Sequence, residues 1–124
     1  MASINETVAN YVAVWNERDD RKRRELIAQT WEESGAYTDA HRHGTDHASI
    51  DRLIETAQES FPGYQVRLVS GIEAHNGHVR FSWAAGGMPD APLYLGGTDF
   101  GTIGSDGRFA SVVGFTDAAP APIA

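Results

Sequence analysis

The sequence predicts an α+β fold, with helices packed on one face of a mainly antiparallel sheet, and three observations carry that reading. Of its 13 glycines only Gly35 and Gly44 precede Pro62, and the other 11 lie at Gly63 or beyond. Before Pro62 the apolar residues recur at three- and four-residue steps; after it they alternate at two-residue steps. Helices therefore come first and strands follow, which argues against alternating strand–helix units. At 124 residues the chain is long enough for one core and one main cavity, and too short for two. Residues 1–117 read as a single domain and 118–124, rich in Ala and Pro, as a frayed tail.

Ile4, Val8, Tyr11, Val12 and Trp15 form one stripe of a first helix between Ile4 and Glu17, which carries Tyr11 inward. A buried tyrosine hydroxyl obliges the fold to supply an internal polar partner. Asp19 or Asp20 caps a second helix running to about Glu33, with Leu26, Ile27, Thr30 and Trp31 on its apolar face. The charged run from Arg18 to Glu25 interleaves acids with bases, and pairs such as Asp20 with Arg24 make it a solvated face. A short strand at Tyr37 lies within the stretch from Gly35 to Gly44. Thr45 or Asp46 caps a third helix with Ile50, Leu53, Ile54, Ala57 and Phe61 inward, stopped by Phe61-Pro62-Gly63.

Beyond it, Val66, Leu68, Ser70 and Ile72 share one strand face, Asn76-Gly77 is a two-residue hairpin, and Val79, Phe81 and Trp83 share a face on the returning strand. Gly86 to Pro92 makes a looser connection. Leu93 to Ile103 then pairs across Ser105-Asp106-Gly107 with Phe109 to Thr116, giving four strands besides the short one at Tyr37.

The balance of 10 Lys and Arg against 17 Asp and Glu, a net charge of −7, argues against nucleic acid or an anionic membrane as partner. The absence of cysteine removes disulfides, thiolate nucleophiles and thiolate metal sites together. No stretch approaches the roughly 20 apolar residues of a spanning helix, and Met1 to Glu6 shows no basic segment leading into an apolar run. A cytoplasmic location is the expectation.

Two carboxylates are the candidates for chemistry. Alternation sends Tyr37 and Asp39 to the same side, so Asp39 is either a general base beside an aromatic or a turn cap bonding backbone N–H groups. Asp99 shares its parity with Leu93, Leu95, Gly97, Gly101 and Ile103, an apolar face. A carboxylate there is paired, hydrogen-bonded or protonated, with its pKa raised if the site is dry; the alternatives are that a bulge at Thr98-Asp99 turns it outward or that Asp99 bonds a buried Tyr or His in a purely structural role. Asp39, His41, His43 and His47 are weighed as metal ligands and set aside, because no characteristic ligand spacing is met. His75 and His78 flank the hairpin as surface residues.

Three separated pieces carry a resemblance. Tyr11 to Asp19 on the first helix, Gly35-Ala36-Tyr37-Thr38-Asp39, and Gly97-Thr98-Asp99 followed by Asp106-Gly107-Arg108 and Val112-Val113-Gly114-Phe115 resemble the nuclear transport factor 2-like superfamily, nearest to its SnoaL-like polyketide cyclase and ketosteroid isomerase-like branch. The resemblance implies a cone-shaped, curved antiparallel sheet closed by three N-terminal helices around an apolar pocket, often as a homodimer through the sheet's outer face. Ketosteroid isomerases of this superfamily use a helix tyrosine and a protonated late-strand aspartate to stabilise an enolate, while a second aspartate moves the proton. By matching motif those roles fall on Tyr11, Asp99 and Asp39. Ala40 departs from the proline that follows the base in many relatives, and His41-Arg42-His43 has no counterpart in the isomerase; His41 or His43 would then tune Asp39 or share its proton work.

The leading expectation is a proton-transfer enzyme of isomerase, aldol cyclase or dehydratase type, acting on a small apolar carbonyl compound. It requires no metal or organic cofactor. Trp15, Tyr37, His41, Phe61, Phe81, Trp83 and Phe115 are the expected substrate-binding walls. The alternative is a non-catalytic small-molecule-binding protein using the same pocket; a protein-interaction role would instead fill the pocket with side chains.

Overall fold

The computed structural model describes residues 2–87 and 93–117. The segregated signals resolve into three helices and a curved, open sheet of mixed direction. Helix α1 (Ile4–Asn16) starts at Ser3, whose side chain accepts from the Glu6 N–H at 3.1 Å, and buries Val8, Tyr11 and Val14. Helix α2 (Asp20–Thr30) starts at Asp19, which accepts from Lys22 N–H at 2.9 Å. Helix α3 (His47–Ser60) opens with a reciprocal box between Asp46 and Ser49 and buries Ile50, Leu53 and Ile54. Side-chain caps of this kind contribute about 1 kcal/mol each. Among the described residues no helix is long and apolar enough to cross a membrane.

The strands are β1 (Trp31–Thr38), β2 (His43–Gly44), β3 (Gln65–Leu68), β4 (Glu73–His75), β5 (His78–Gly86), β6 (Leu93–Ile103) and β7 (Phe109–Thr116). Their order is β2-β1-β7-β6-β5-β3, and β4 also pairs with β5. Asn76 (φ 48°) and Gly77 (φ 77°) both adopt the left-handed conformation the tight β4–β5 turn requires. Every pairing is antiparallel except β1 with β7, which sets Tyr37 beside Val112. That parallel contact brings the Tyr37–Asp39 stretch to the same cavity as β6. At the core, Trp31, Phe81 and Phe109 surround the Tyr11 ring with centroids 5.5, 5.3 and 5.7 Å away. Tyr11 is thereby fixed in place before its hydroxyl makes any bond.

Three elements differ from the sequence reading. The second helix stops at Thr30 rather than Glu33, because Trp31 turns extended (φ −112°, ψ 146°) to pair with Phe109 and to receive the Arg108 guanidinium on its carbonyl at 3.2 Å. The strand expected over Val66 to Ile72 is interrupted after Leu68, so that β3 and β4 are separate, and with the unexpected β2 seven strands replace five among the described residues. Arg23 leaves the solvated face altogether. It is 1% exposed, and its guanidinium donates to Asp51 at 2.7 Å, Asp20 at 2.8 Å and Glu55 and Gln58 at 3.1 Å each, tying α2 to α3. The looser connection ending at Pro92 and the tail over 118–124 fall largely or wholly outside the described residues.

Candidate active site

Asp99 stands mid-strand on β6, opposite Phe81 on one side and Gly114 on the other, in regular register with no bulge. It is 3% exposed. The Tyr11 hydroxyl donates to Oδ2 at 2.5 Å and the Trp83 indole N–H to Oδ1 at 2.9 Å. Burial pushes the carboxyl up to about 6; the two donors oppose that rise and the negative charge of Asp39 adds to it. The Tyr11 phenol is pushed well above its usual range by burial and by the Asp99 charge, so it remains a proton donor.

Asp39 follows β1 directly. Its Oδ2 accepts from the Tyr37 hydroxyl at 2.7 Å and lies 3.5 Å from the Arg42 guanidinium, while Oδ1 accepts from the backbone N–H of His41 at 2.8 Å and of Arg42 at 2.9 Å. Asp39 thus caps the turn, one of the two readings offered by the sequence, and the same turn aims its side chain at the cavity. Gly114 makes room for the whole arrangement. A Cβ there would lie 2.8 Å from Asp99 Oδ1 and 3.1 Å from the Tyr37 hydroxyl, so glycine lets the two polar groups occupy neighbouring space. Burial likewise raises the Tyr37 phenol, first of all, with Asp39 and Asp99 adding to the shift.

A cavity of about 270 Å³ opens over these groups. It falls just below the range of roughly 300–1,000 Å³ usual for small-molecule sites, a space for a compact ligand only. Tyr11, Trp15, Tyr37, Asp39, His41, Phe61, Trp83 and Asp99 all line it. Phe81 and Phe115 do not, against the sequence expectation. Phe81 is 1% exposed and packs edge-on against Tyr11, so it supports the site from behind. Phe115 is 60% exposed on the sheet's outer face, because the alternation that turns Gly114 inward turns Val113 and Phe115 out.

The sequence reading missed Arg18, Arg42, Gln58, Tyr64, Val66 and Leu95 among the lining residues. Arg42 had a local signal, its position three residues after Asp39. Arg18 and Val66 had none, since Val66 is held by the Asn16 side chain, which bonds its N–H at 2.7 Å and its carbonyl at 2.8 Å across a long sequence gap. His47 turns away and bonds the Glu32 carbonyl at 2.7 Å through Nε2, so the four residues weighed as metal ligands do not converge. No group of three metal-ligating side chains converges among the described residues.

No protein-family profile and no curated protein matches the chain. Solved structures do. A protein of the SnoaL-like family from Agrobacterium tumefaciens str. C58, provisionally named an isomerase, is 36% identical over 95% of this chain and 100% of its own, with a TM-score of 0.87. A provisionally named SnoaL-like polyketide cyclase from Jannaschia sp. CCS1 shares the fold at 17% identity, covering 92% of this chain and 85% of its own, TM-score 0.75. An NTF2-like protein of unknown function from Exiguobacterium sp. 255-15 does so at 13% identity, covering 91% and 99%, TM-score 0.72. With more than a third of its residues identical to a member across the full length of that member, the chain belongs to the SnoaL-like family.

Proposed function

We propose that this chain is a cofactor-independent proton-transfer enzyme, of isomerase, aldol cyclase or dehydratase type, acting on a small apolar carbonyl compound. The observation that carries the reading is Asp99, a carboxyl of pKa about 6 buried beside a phenol in the wall of a mainly aromatic and apolar cavity. In the ligand-free chain the Tyr11 proton is committed to Asp99. A ligand that displaces water raises the Asp99 carboxyl further, and once Asp99 holds a proton the Tyr11 O–H is released. Two donors then face the developing enolate oxygen while Asp39 takes the α-proton. Four donors fill the lone-pair positions of Asp39, so its longest contact, Arg42 at 3.5 Å, is the one that must open for the base to act. The same crowding favours a second assignment within this reading, with Asp99 itself as the proton carrier.

The test is solvent deuterium incorporation into a panel of small apolar ketones and β-keto esters, read by mass spectrometry. Incorporation is expected with the native chain, reduced roughly 10²–10⁴-fold in whichever of Asp39→Asn and Asp99→Asn removes the base. Unchanged exchange in both variants overturns the assignment. Tight binding without exchange in the native chain leaves the non-catalytic binding protein instead.

The partner this reading assigns to the outer sheet face is a second copy of the chain. Phe100, Val113 and Phe115 are 43%, 37% and 60% exposed there, and the two phenylalanine rings meet edge to face at 5.9 Å. Clustered exposed apolar side chains favour association. Sedimentation equilibrium is expected to give twice the 13.4 kDa chain mass, and Phe115→Glu to shift it to one; a native monomer removes the dimer.

A further inference from the structure

The cavity is walled mainly by aromatic and apolar side chains and carries unmet hydrogen-bonding capacity at two places. The Trp15 indole N–H is buried and has no hydrogen-bond partner among the described residues, although it lies near enough to the Tyr11 hydroxyl to favour that group's ionised form. An unpaired buried N–H is rare in a folded chain and calls for an acceptor. The second place is the rim. Arg18 is exposed there, held by bonds to the Tyr64 carbonyl at 2.8 Å and the Gln58 carbonyl at 3.4 Å, and no carboxylate of the described residues pairs with it. Arg42 lines the same cavity, partly exposed, and among the described residues its guanidinium has only the long contact to Asp39. Asp39 and Asp99 line the same cavity, so the two arginines offset its two carboxylates, and Arg18, which no described carboxylate pairs, is the cation left over at the rim.

We propose that the ligand of this cavity is a compact oxo acid: a short apolar skeleton whose carbonyl oxygen accepts from Trp15 Nε1 beside Tyr11 and whose carboxylate meets Arg18 and Arg42 at the rim. The proposal deepens the proton-transfer reading and rests on it for what happens to the ligand, but not for how the ligand binds. Guanidinium groups suit carboxylates because their parallel N–H bonds match the two oxygens. Binding of the carboxylate also draws Arg42 off Asp39 Oδ2, which vacates the lone pair a base needs.

Isothermal titration with three probes tests it: 4-oxo-4-phenylbutanoate, its primary amide, and 4-phenylbutanoate. The oxo acid is expected to bind about tenfold or more tightly than the amide at low ionic strength, with the gap closing as salt screens it. Arg18→Gln and Arg42→Gln each narrow that gap, and Trp15→Phe removes the preference for the oxo acid over 4-phenylbutanoate. Equal binding of acid and amide, or a gap that survives both arginine variants, overturns the proposal. Because Arg18 also bonds carbonyls at the end of α3, thermal melts accompany its variant, and Arg42→Gln and the salt series decide the matter if Arg18→Gln is unfolded. Loss of deuterium exchange with the anion preference intact would remove the enzyme reading alone; exchange without anion preference would remove this one alone.

Discussion

Replacement of Asp99 by asparagine is expected to flatten the pH dependence of stability, and to lower proton transfer by roughly 10²–10⁴-fold where Asp99 is the proton carrier. Asp99 titrates at about 6 in the folded chain against an ordinary 3.8. A carboxyl whose folded value is raised contributes stability that is present below its unfolded value and lost as pH rises through the folded one. The native chain should therefore lose about 3 kcal/mol from this group between about pH 4 and pH 7. The substituted amide has no such proton to lose. It is accommodated because the Tyr11 hydroxyl accepts as readily as it donates, while the amide carbonyl keeps the Trp83 N–H. Urea titrations at a series of pH values compare the two slopes, and parallel slopes in native and variant chains would show that Asp99 is not the raised group. The turnover of the native chain should break near the same pH.

Arg23→Leu is the substitution expected to cost the fold most, about 3–5 kcal/mol. The guanidinium joins four acceptors from α2 and α3, and Asp51, its partner at 2.7 Å, has a side chain only 14% exposed. Leucine fills part of the space and strands that carboxylate. Asp20 and Glu55, 63% and 47% exposed, rehydrate without much loss. Arg23→Lys should recover part of the stability, since an ammonium restores the charge and not the fork. A urea midpoint unmoved by Arg23→Leu would mean that Asp51 also finds water.

The helices, the hairpin at Asn76-Gly77 and the inward face of Asp99 were legible because each rests on a local period or a turn rule. Trp31 shows where that stops. Its four-residue step from Ile27 continues the helical stripe, and only Phe109, far along the chain, tells it to be a strand. Phe115 shows the same for the site: aromatic character marks an apolar surface without saying which side of a curved sheet it occupies. Arg23 was hidden because the acids around it in sequence look like solvation, whereas Asp51 and Glu55 arrive from another helix. The Tyr11, Asp39 and Asp99 constellation was visible through its resemblance to a family. The rim arginines and the Trp15 N–H were not, since their meaning lies in which bonds they lack.

The hydrogen bond from Tyr11 to Asp99 joins residues 88 apart, and the parallel contact of β1 with β7 closes a span of similar length. Contacts so distant must repay a large loop-closure entropy, so they form late and slowly. A chain still emerging from the ribosome can complete α1, α2 and their packing, yet it holds no cavity until β6 and β7 arrive. Any small molecule this cavity takes is consequently blind to nascent and fragmentary copies and adds its binding energy only to finished ones.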